Sequence, residues 1–193
     1  MKRVAVVILN WNGKKFLEQF LQNVVDNSCH VADVIVADNN SNDGSVDFVT
    51  NNFQQVQVIR LDDNYGFAGG YNRALQQIDY EYFILLNSDI EVSSRWIEPV
   101  VDFMDNNAEY AICQPKLLSY FEKEKFEYAG AAGGYIDHLG YPFCRGRVFQ
   151  KSEVDNGQYD NFTEVFWATG ACMFVKSSVF KEIGGLDEDF FAH

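Results

Sequence analysis

Unbroken apolar blocks alternate with blocks of helical spacing through residues 1–115. RVAVVILN (3–10) is a continuous β-branched run, and residues 14–26 then place Phe16, Leu17, Phe20, Leu21, Val24 and Val25 three and four apart. DVIVAD (33–38) is the next strand, and Ser45 is placed to cap a short helix carrying Val46, Phe48 and Val49. QVQVIRL (55–61) is a third strand, followed by the glycine-rich NYGFAGGYNRAL and a helix to about Ile78. EYFILLN (81–87) is a fourth, a helix follows over 94–105, and YAICQP (110–115) is a fifth. Residues 116–165 break the alternation and read as an irregular segment with a hairpin and a flexible loop. Residues 164–185 restore it with a strand, a Ser-capped helix and a Gly pair that stops the helix.

Strands that are apolar along their whole length are covered on both faces, so the pattern predicts an α/β fold with a mostly parallel central sheet flanked by helices. Right-handed crossovers then bring the strand C-termini to one edge, where open α/β sheets bind ligands. The unusual polar residues fall there: Asn10 and Asn12 after the first strand, Asp38 after the second, Asp89 after the fourth. Several such residues converging on one edge point to a pocket.

Composition narrows the partners. A length of 193 residues suits one domain, and 47% hydrophobic residues indicate a folded chain. A formal net charge of −13 leaves no basic surplus for a nucleic-acid backbone. Cys29, Cys113, Cys144 and Cys172 lack metal-ligand spacing and sit among apolar neighbours, as buried free thiols of a reducing compartment would. MKRVAVVILNWNG has neither the apolar length nor the cleavage site of a signal peptide, and the run is too short to span a bilayer. His30 and His138 read as loop or surface residues, and Asn161-Phe162-Thr163 fits a glycosylation sequon that a cytosolic chain leaves unused.

Each candidate motif has two readings. The P-loop pattern is absent, and NWNG stands after the first strand where a dinucleotide fold needs G-x-G-x-x-G. Asp38 fits either an Asx-turn or a nucleoside contact. Gly66, Gly69 and Gly70 lead into a helix whose N-terminus could hold an anion, or are simply turn residues. Asn87-Ser88-Asp89, which ends the apolar run YFILL, is either a turn or a hard-oxygen site for Mg²⁺ or Mn²⁺. Trp167 is either a core aromatic or a platform for a sugar face.

Six segments stand in one register: VAVVILNWNGKKFLEQFL, VIVADNNSNDGSVDFV, NYGFAGGYNRAL, FILLNSDIEV, CQPKLL and WATGACMFVKSSVFKEIGGLDEDFF. Together they closely resemble the family 2 inverting glycosyltransferases with a GT-A fold, in particular the rhamnosyltransferase-like branch. The resemblance covers nearly the whole chain and implies one GT-A-like domain over 1–193. Residues 1–115 would form the nucleotide-binding half and 116–193 an acceptor-side half incomplete at its C-terminus. It implies that Asn10, Asn12 and Asp38 hold the base and ribose of a nucleotide-diphospho-sugar, and that Asn64, Gly69, Gly70 and Asn72 line the nucleotide and diphosphate. Asn87-Ser88-Asp89 takes the D-x-D position with Asp89 as ligand of Mg²⁺ or Mn²⁺; the first carboxylate of that motif is an Asn here. Trp167, Thr169 and Gly170 match W-x-[ST]-G on the acceptor side.

The resemblance further implies a glycan or lipid-linked glycan acceptor, a cytoplasmic location at the inner face of a membrane, and peripheral membrane association of the full-length protein. No basic amphipathic helix in the sequence supports that contact. The family's catalytic base lies in an acidic pair a few residues past DEDFF, beyond His193, and Asp187 reads as a loop-organising residue. A truncated donor-binding core is therefore expected. The rival readings are a non-catalytic nucleotide-sugar-binding domain and a sugar-nucleotidyltransferase, whose basic Gly-rich loop NWNGKK matches poorly. The 193-residue chain is expected to bind nucleotide with metal but to transfer sugar poorly; robust turnover in a donor-hydrolysis and transfer assay would contradict this.

Overall fold

The computed structural model describes residues 2–190. Its centre is a six-stranded sheet of β1 (Val4–Asn10), β2 (Ala32–Asp38), β3 (Gln57–Arg60), β4 (Tyr82–Leu86), β5 (Ile112–Cys113) and β10 (Cys172–Lys176), in the order β3-β2-β1-β4-β10-β5. The register runs Asn10 beside Asp38, Asp38 beside Arg60, and Ile8 beside Leu86. β1 pairs parallel with β2 and β4, and β2 with β3, whereas β10 runs antiparallel between β4 and β5. β5 thereby points the same way as β4.

The unbroken apolar strands face two helical layers. Val4, Val6 and Ile8 of β1 pack with α1 (Lys14–Ser28), α2 (Ser45–Asn52) and α4 (Glu98–Asn106) through Leu17, Leu21, Val49, Val101 and Met104. Ala5 and Val7 face the other side, with α3 (Gly66–Leu75) and α5 (Ser177–Glu182), through Tyr71, Leu75 and Phe180. Alternate residues thus enter different cores, so neither parity is polar. Burial pushes the Cys172 thiol up to about 12, and it packs as a small apolar side chain. All four cysteines are free.

Residues 116–165 carry two hairpins, β6 (Gly134–Ile136) with β7 (Pro142–Cys144) and β8 (Arg147–Val148) with β9 (Lys151–Ser152). Phe126, Ala131, Ala132 and Cys144 form their own small core, with Tyr159 and Trp167 against it. Among the described residues no helix is long and apolar enough to cross a membrane.

Several boundaries differ from the sequence pattern. α3 begins within the glycine-rich stretch, so Gly69 and Gly70 lie inside the helix. A methyl group on Gly70 would stand 2.8 Å from a Leu9 methyl, so the glycine lets the helix ride against the end of β1. α4 starts at Glu98 because Pro99, lacking an N–H, belongs in a first turn, and Arg95 just upstream is left-handed with φ +56°. Ser45 and Ser177 are first helical residues; Gly44 and Lys176 hold the cap positions, without side-chain capping bonds.

Phe174 on β10 is fully buried, edge-on to Trp96 with ring centroids 5.6 Å apart. Phe174→Ala is expected to lower unfolding free energy by about 3–5 kcal/mol in urea titration, because little nearby can collapse into the hole.

Candidate active site

The C-terminal ends of β1, β2 and β4 share one edge of the sheet. Because β10 runs the other way, the segment entering it, 167–171, arrives at that same edge. The Asn87 N–H donates to the Ala171 carbonyl at 2.9 Å, fastening the two together.

Asn10 is the hub. Its Nδ2 reaches Asp38 Oδ1 at 3.1 Å, Ser41 Oγ at 3.1 Å and Ser45 Oγ at 2.9 Å. Asp38, 3% exposed, accepts the Ser41 N–H on its other oxygen at 3.0 Å. One carboxylate oxygen therefore ties β2 to Asn10 at the end of β1, and the other holds the loop after β2 in an Asx-type turn. Asn10 Oδ1 is buried without a partner. A methyl on Gly13 would lie 2.6 Å from that oxygen and 3.6 Å from Ser88 Oγ, which sets Ser88 beside the end of β1.

Asn12 laces the same two loops together. Its N–H donates to Ser41 Oγ and its Oδ1 accepts the Asn42 N–H, each at 2.9 Å. Asn12 and Asn40 are both left-handed, with φ +51° and +63°, a conformation asparagine tolerates better than most residues. Asp43 joins two helix starts, accepting the Lys14 N–H at 2.8 Å and the Ser45 N–H at 3.0 Å. Burial pushes its carboxyl up, but the Ser45 hydroxyl and the amide donors together outweigh that and hold it below the usual range.

The glycine-rich segment is organised by side chains. Asn39, 2% exposed, accepts the Tyr65 N–H at 3.0 Å and donates to Asn64 Oδ1 and the Gly66 carbonyl at 2.9 Å each. Asn64 Oδ1 also accepts the Gly66 N–H at 3.0 Å. Two N–H groups at the entry to α3, which the sequence offers to an anion, are thus already occupied. Asn72 turns toward the far loop: its amide exchanges two 2.8 Å bonds with the backbone of Leu186 and donates to Glu188. Arg73 grips both Glu188 oxygens at 3.0 Å while lying 3.8 Å over the Tyr65 ring. Asn72 and Arg73 together hold the Glu188 carboxyl below its usual range.

On the opposite flank, Trp167 donates from Nε1 to the Tyr135 carbonyl at 3.2 Å and packs its ring on Gly134. The Thr169 N–H donates to Gln114 Oε1 at 2.7 Å, and Gly170 sits close enough to Phe67 that a methyl would stand 2.7 Å from the ring. Asp187 accepts the Asp189 N–H at 3.0 Å, in keeping with a loop-organising role. The catalytic base implied by the family pattern lies outside the described residues.

Asp89 contrasts with the other edge residues. It is exposed, and among the described residues it makes no hydrogen bond or ion pair. Among those residues no three His, Cys, Asp or Glu side chains gather as a metal cage. The protein contributes one accessible carboxylate there, flanked by Asn87 and Ser88, which fits an ion such as Mg²⁺ that keeps its waters and accepts one or two carboxylates.

Sequence reasoning passed over Asn39, Asp43, Gln114 and Trp11. Trp11 stands 58% exposed between Asn10 and Asn12. A groove of about 1110 Å³ runs along β5 past Tyr110, Phe162 and Phe166, and meets this edge through Gln114, Trp167 and Ala168.

A model described as glycosyl transferase family 2 matches residues 5–184. The chain is 24% identical over 195 residues to a low-salt glycan biosynthesis hexosyltransferase of Haloferax volcanii, covering 98% of this chain and 58% of that protein. It is 22% identical over 205 residues to an N-acetylglucosaminyl-diphospho-decaprenol L-rhamnosyltransferase of Mycobacterium tuberculosis, covering 98% and 66%. Among solved structures, TarS of S. aureus with UDP superposes with TM-score 0.67 at 15% identity, covering 99% of this chain and 52% of that one. A mannosyltransferase of Pyrobaculum calidifontis with GDP-Man and Mn²⁺ superposes with TM-score 0.59 at 16% identity, covering 98% and 49%. The chain therefore spans about three-fifths of these curated relatives and half of these solved neighbours, and its fold is that of the GT-A glycosyltransferases.

Acid should loosen the loops after β1 and β2. Because the folded-state value of Asp43 is depressed, its contribution is present above about pH 4, the ordinary aspartate value, and disappears as pH falls through the folded value. Asp43→Asn is expected to be less stable than wild type at neutral pH and to show a shallower acid limb in thermal melts.

Proposed function

From the premise that the chain belongs to glycosyl transferase family 2, we propose that it binds a nucleotide-diphospho-sugar at the C-terminal edge of the sheet and serves inverting, metal-assisted transfer to a glycan acceptor. The observation that carries this reading is the division of the edge: Asp38 is sewn into the fold, while Asp89, after β4 on the same edge, is exposed and has no partner among the described residues. Asp89, with Ser88 and Asn87 adjacent, would hold Mg²⁺ or Mn²⁺. Such an ion neutralises the charge that develops on a departing nucleoside diphosphate. Asn10, Asn12 and Asp38 would shape the nucleoside pocket, with Asn64, Gly69, Gly70 and Asn72 building its wall by fixing α3. The precedent for donor and ion is the neighbour solved with GDP-Man and Mn²⁺.

Residues 1–115 act as the nucleotide half and 116–193 as the acceptor-side half, to which Trp167, Thr169 and Gly170 belong. Inversion requires a carboxylate to take the proton from the acceptor hydroxyl as it attacks the anomeric carbon from the face opposite the diphosphate. The acceptor is a glycan or lipid-linked glycan, met at the inner face of a membrane; the mycobacterial relative is named for an N-acetylglucosaminyl-diphospho-decaprenol acceptor.

Titration with UDP-, GDP- and dTDP-sugars, with and without Mn²⁺, tests this. At about one hundred times Kd the matching donor is expected to add about 2.7 kcal/mol, raising Tm by about 5 °C or more for a chain of this size. Asp89→Ala should remove the Mn²⁺-dependent part of the shift and leave the ligand-free melt unchanged. No shift with any of the three nucleotides would overturn the reading.

A further inference from the structure

The hairpin formed by β8 and β9 has an unusual tip. Phe149 is 89% exposed and Val148 58% exposed, and Phe149 adopts φ +51°, the left-handed region that favours glycine. A large apolar side chain in that conformation is unfavourable twice over, in backbone strain and in hydration, and at 89% exposure it buries little surface to offset either.

The charges around it are equally out of character. In a chain of net charge −13 with 28 acidic residues, most basic side chains lie within 4.0 Å of a carboxylate. Among the described residues Arg145, Arg147 and Lys151 do not, although they crowd into seven consecutive positions. Arg145 lies 4.5 Å over the Tyr159 ring and Arg147 4.2 Å over the Tyr128 ring. Arg145 is half-buried and its Nη1 also donates to the Ala132 carbonyl at 3.5 Å. The stacked Arg147 instead keeps its guanidinium plane fixed, with its N–H edge available for phosphate oxygens.

We propose that the Arg147–Ser152 hairpin is a membrane-contact wedge, in which Val148 and Phe149 enter the headgroup boundary of a bilayer and Arg147 and Lys151 pair with anionic lipid phosphates. An apolar tip flanked by a cation on each strand matches such an interface, where shallow apolar insertion and headgroup attraction reinforce each other. The overall negative charge does not prevent the contact, because charges more than about 8 Å from the surface are screened at physiological ionic strength. The proposal adds a place for the membrane contact named above and is independent of donor binding.

Flotation of the 193-residue chain with vesicles of phosphatidylcholine containing 30 mol% phosphatidylglycerol, against pure phosphatidylcholine, tests it. Binding is expected only to the anionic vesicles, with about a tenfold loss in partitioning for Phe149→Gly and for the double variant Arg147→Glu, Lys151→Glu. Phe149→Gly also relieves the left-handed strain, so its Tm should equal or exceed that of wild type, separating lost contact from lost folding. Failure of the wild-type chain to float with anionic vesicles would overturn the proposal. So would charge-dependent binding that Phe149→Gly leaves intact, the behaviour of a surface for soluble polyanions.

Discussion

Burial of the central strands on both faces is the constraint on which the rest of the molecule depends. Along β1, Val4, Val6 and Ile8 enter one core and Ala5 and Val7 the other, and β4 is buried at all five positions. A polar side chain anywhere along these runs would need a buried partner or would destabilise the sheet by several kcal/mol. Polar chemistry is therefore displaced to the strand ends, and parallel pairing collects those ends on one edge. The reversal of β10 completes the arrangement by bringing Trp167–Ala171 to the edge from the other side of the chain.

At that edge the polar residues divide into those that build and those that remain available. Asn10, Asp38, Asn39 and Asp43 are occupied in joining loops whose backbone would otherwise lack partners. Their rigidity is useful in itself, since groups already fixed in place need not reorganise when charge develops nearby. Ser88, Asp89 and Trp11 emerge from that frame with capacity to spare. Asn72 and Arg73 extend the frame to the Leu186–Glu188 loop, so α3 carries tension between the nucleotide edge and the acidic segment after α5.

What the sequence made legible follows from how local each signal is. β1, β2 and β4 are visible because unbroken apolar runs have one structural meaning here, and α1 because its apolar residues recur every three or four positions. Gly69 and Gly70 read as loop because propensity disfavours glycine in helices; the close approach of Leu9, far upstream, explains Gly70, and the crowding of Tyr65 and Arg73 explains Gly69. The direction of β10 was hidden behind a long irregular excursion. Asn39 and Gln114 escaped notice because their partners lie 26 and 55 residues away, at Tyr65 and Thr169, and nothing in their own neighbourhoods marks them. Ser45 looked like a cap, yet its hydroxyl is needed by Asn10 and Asp43.

The electrostatics of the edge bear on how an acidic protein would accept a polyanionic donor. Phosphate-binding loops commonly offer backbone N–H groups at a helix entry together with a lysine. Here the entry to α3 has given the Tyr65 and Gly66 N–H groups to Asn39 and Asn64, and Arg73 is committed to Glu188. Two of the usual means of holding a diphosphate are therefore spent on structure. A divalent ion held by Asp89, as proposed, would offset the local negative charge with a single protein ligand, which one exposed carboxylate can provide. Replacing the first acid of the D-x-D pattern by Asn87 also lowers the negative charge that the incoming diphosphate must approach. On this view the acidic composition and the sparse ligand set are compatible, because the ion, rather than a basic surface, supplies the attraction.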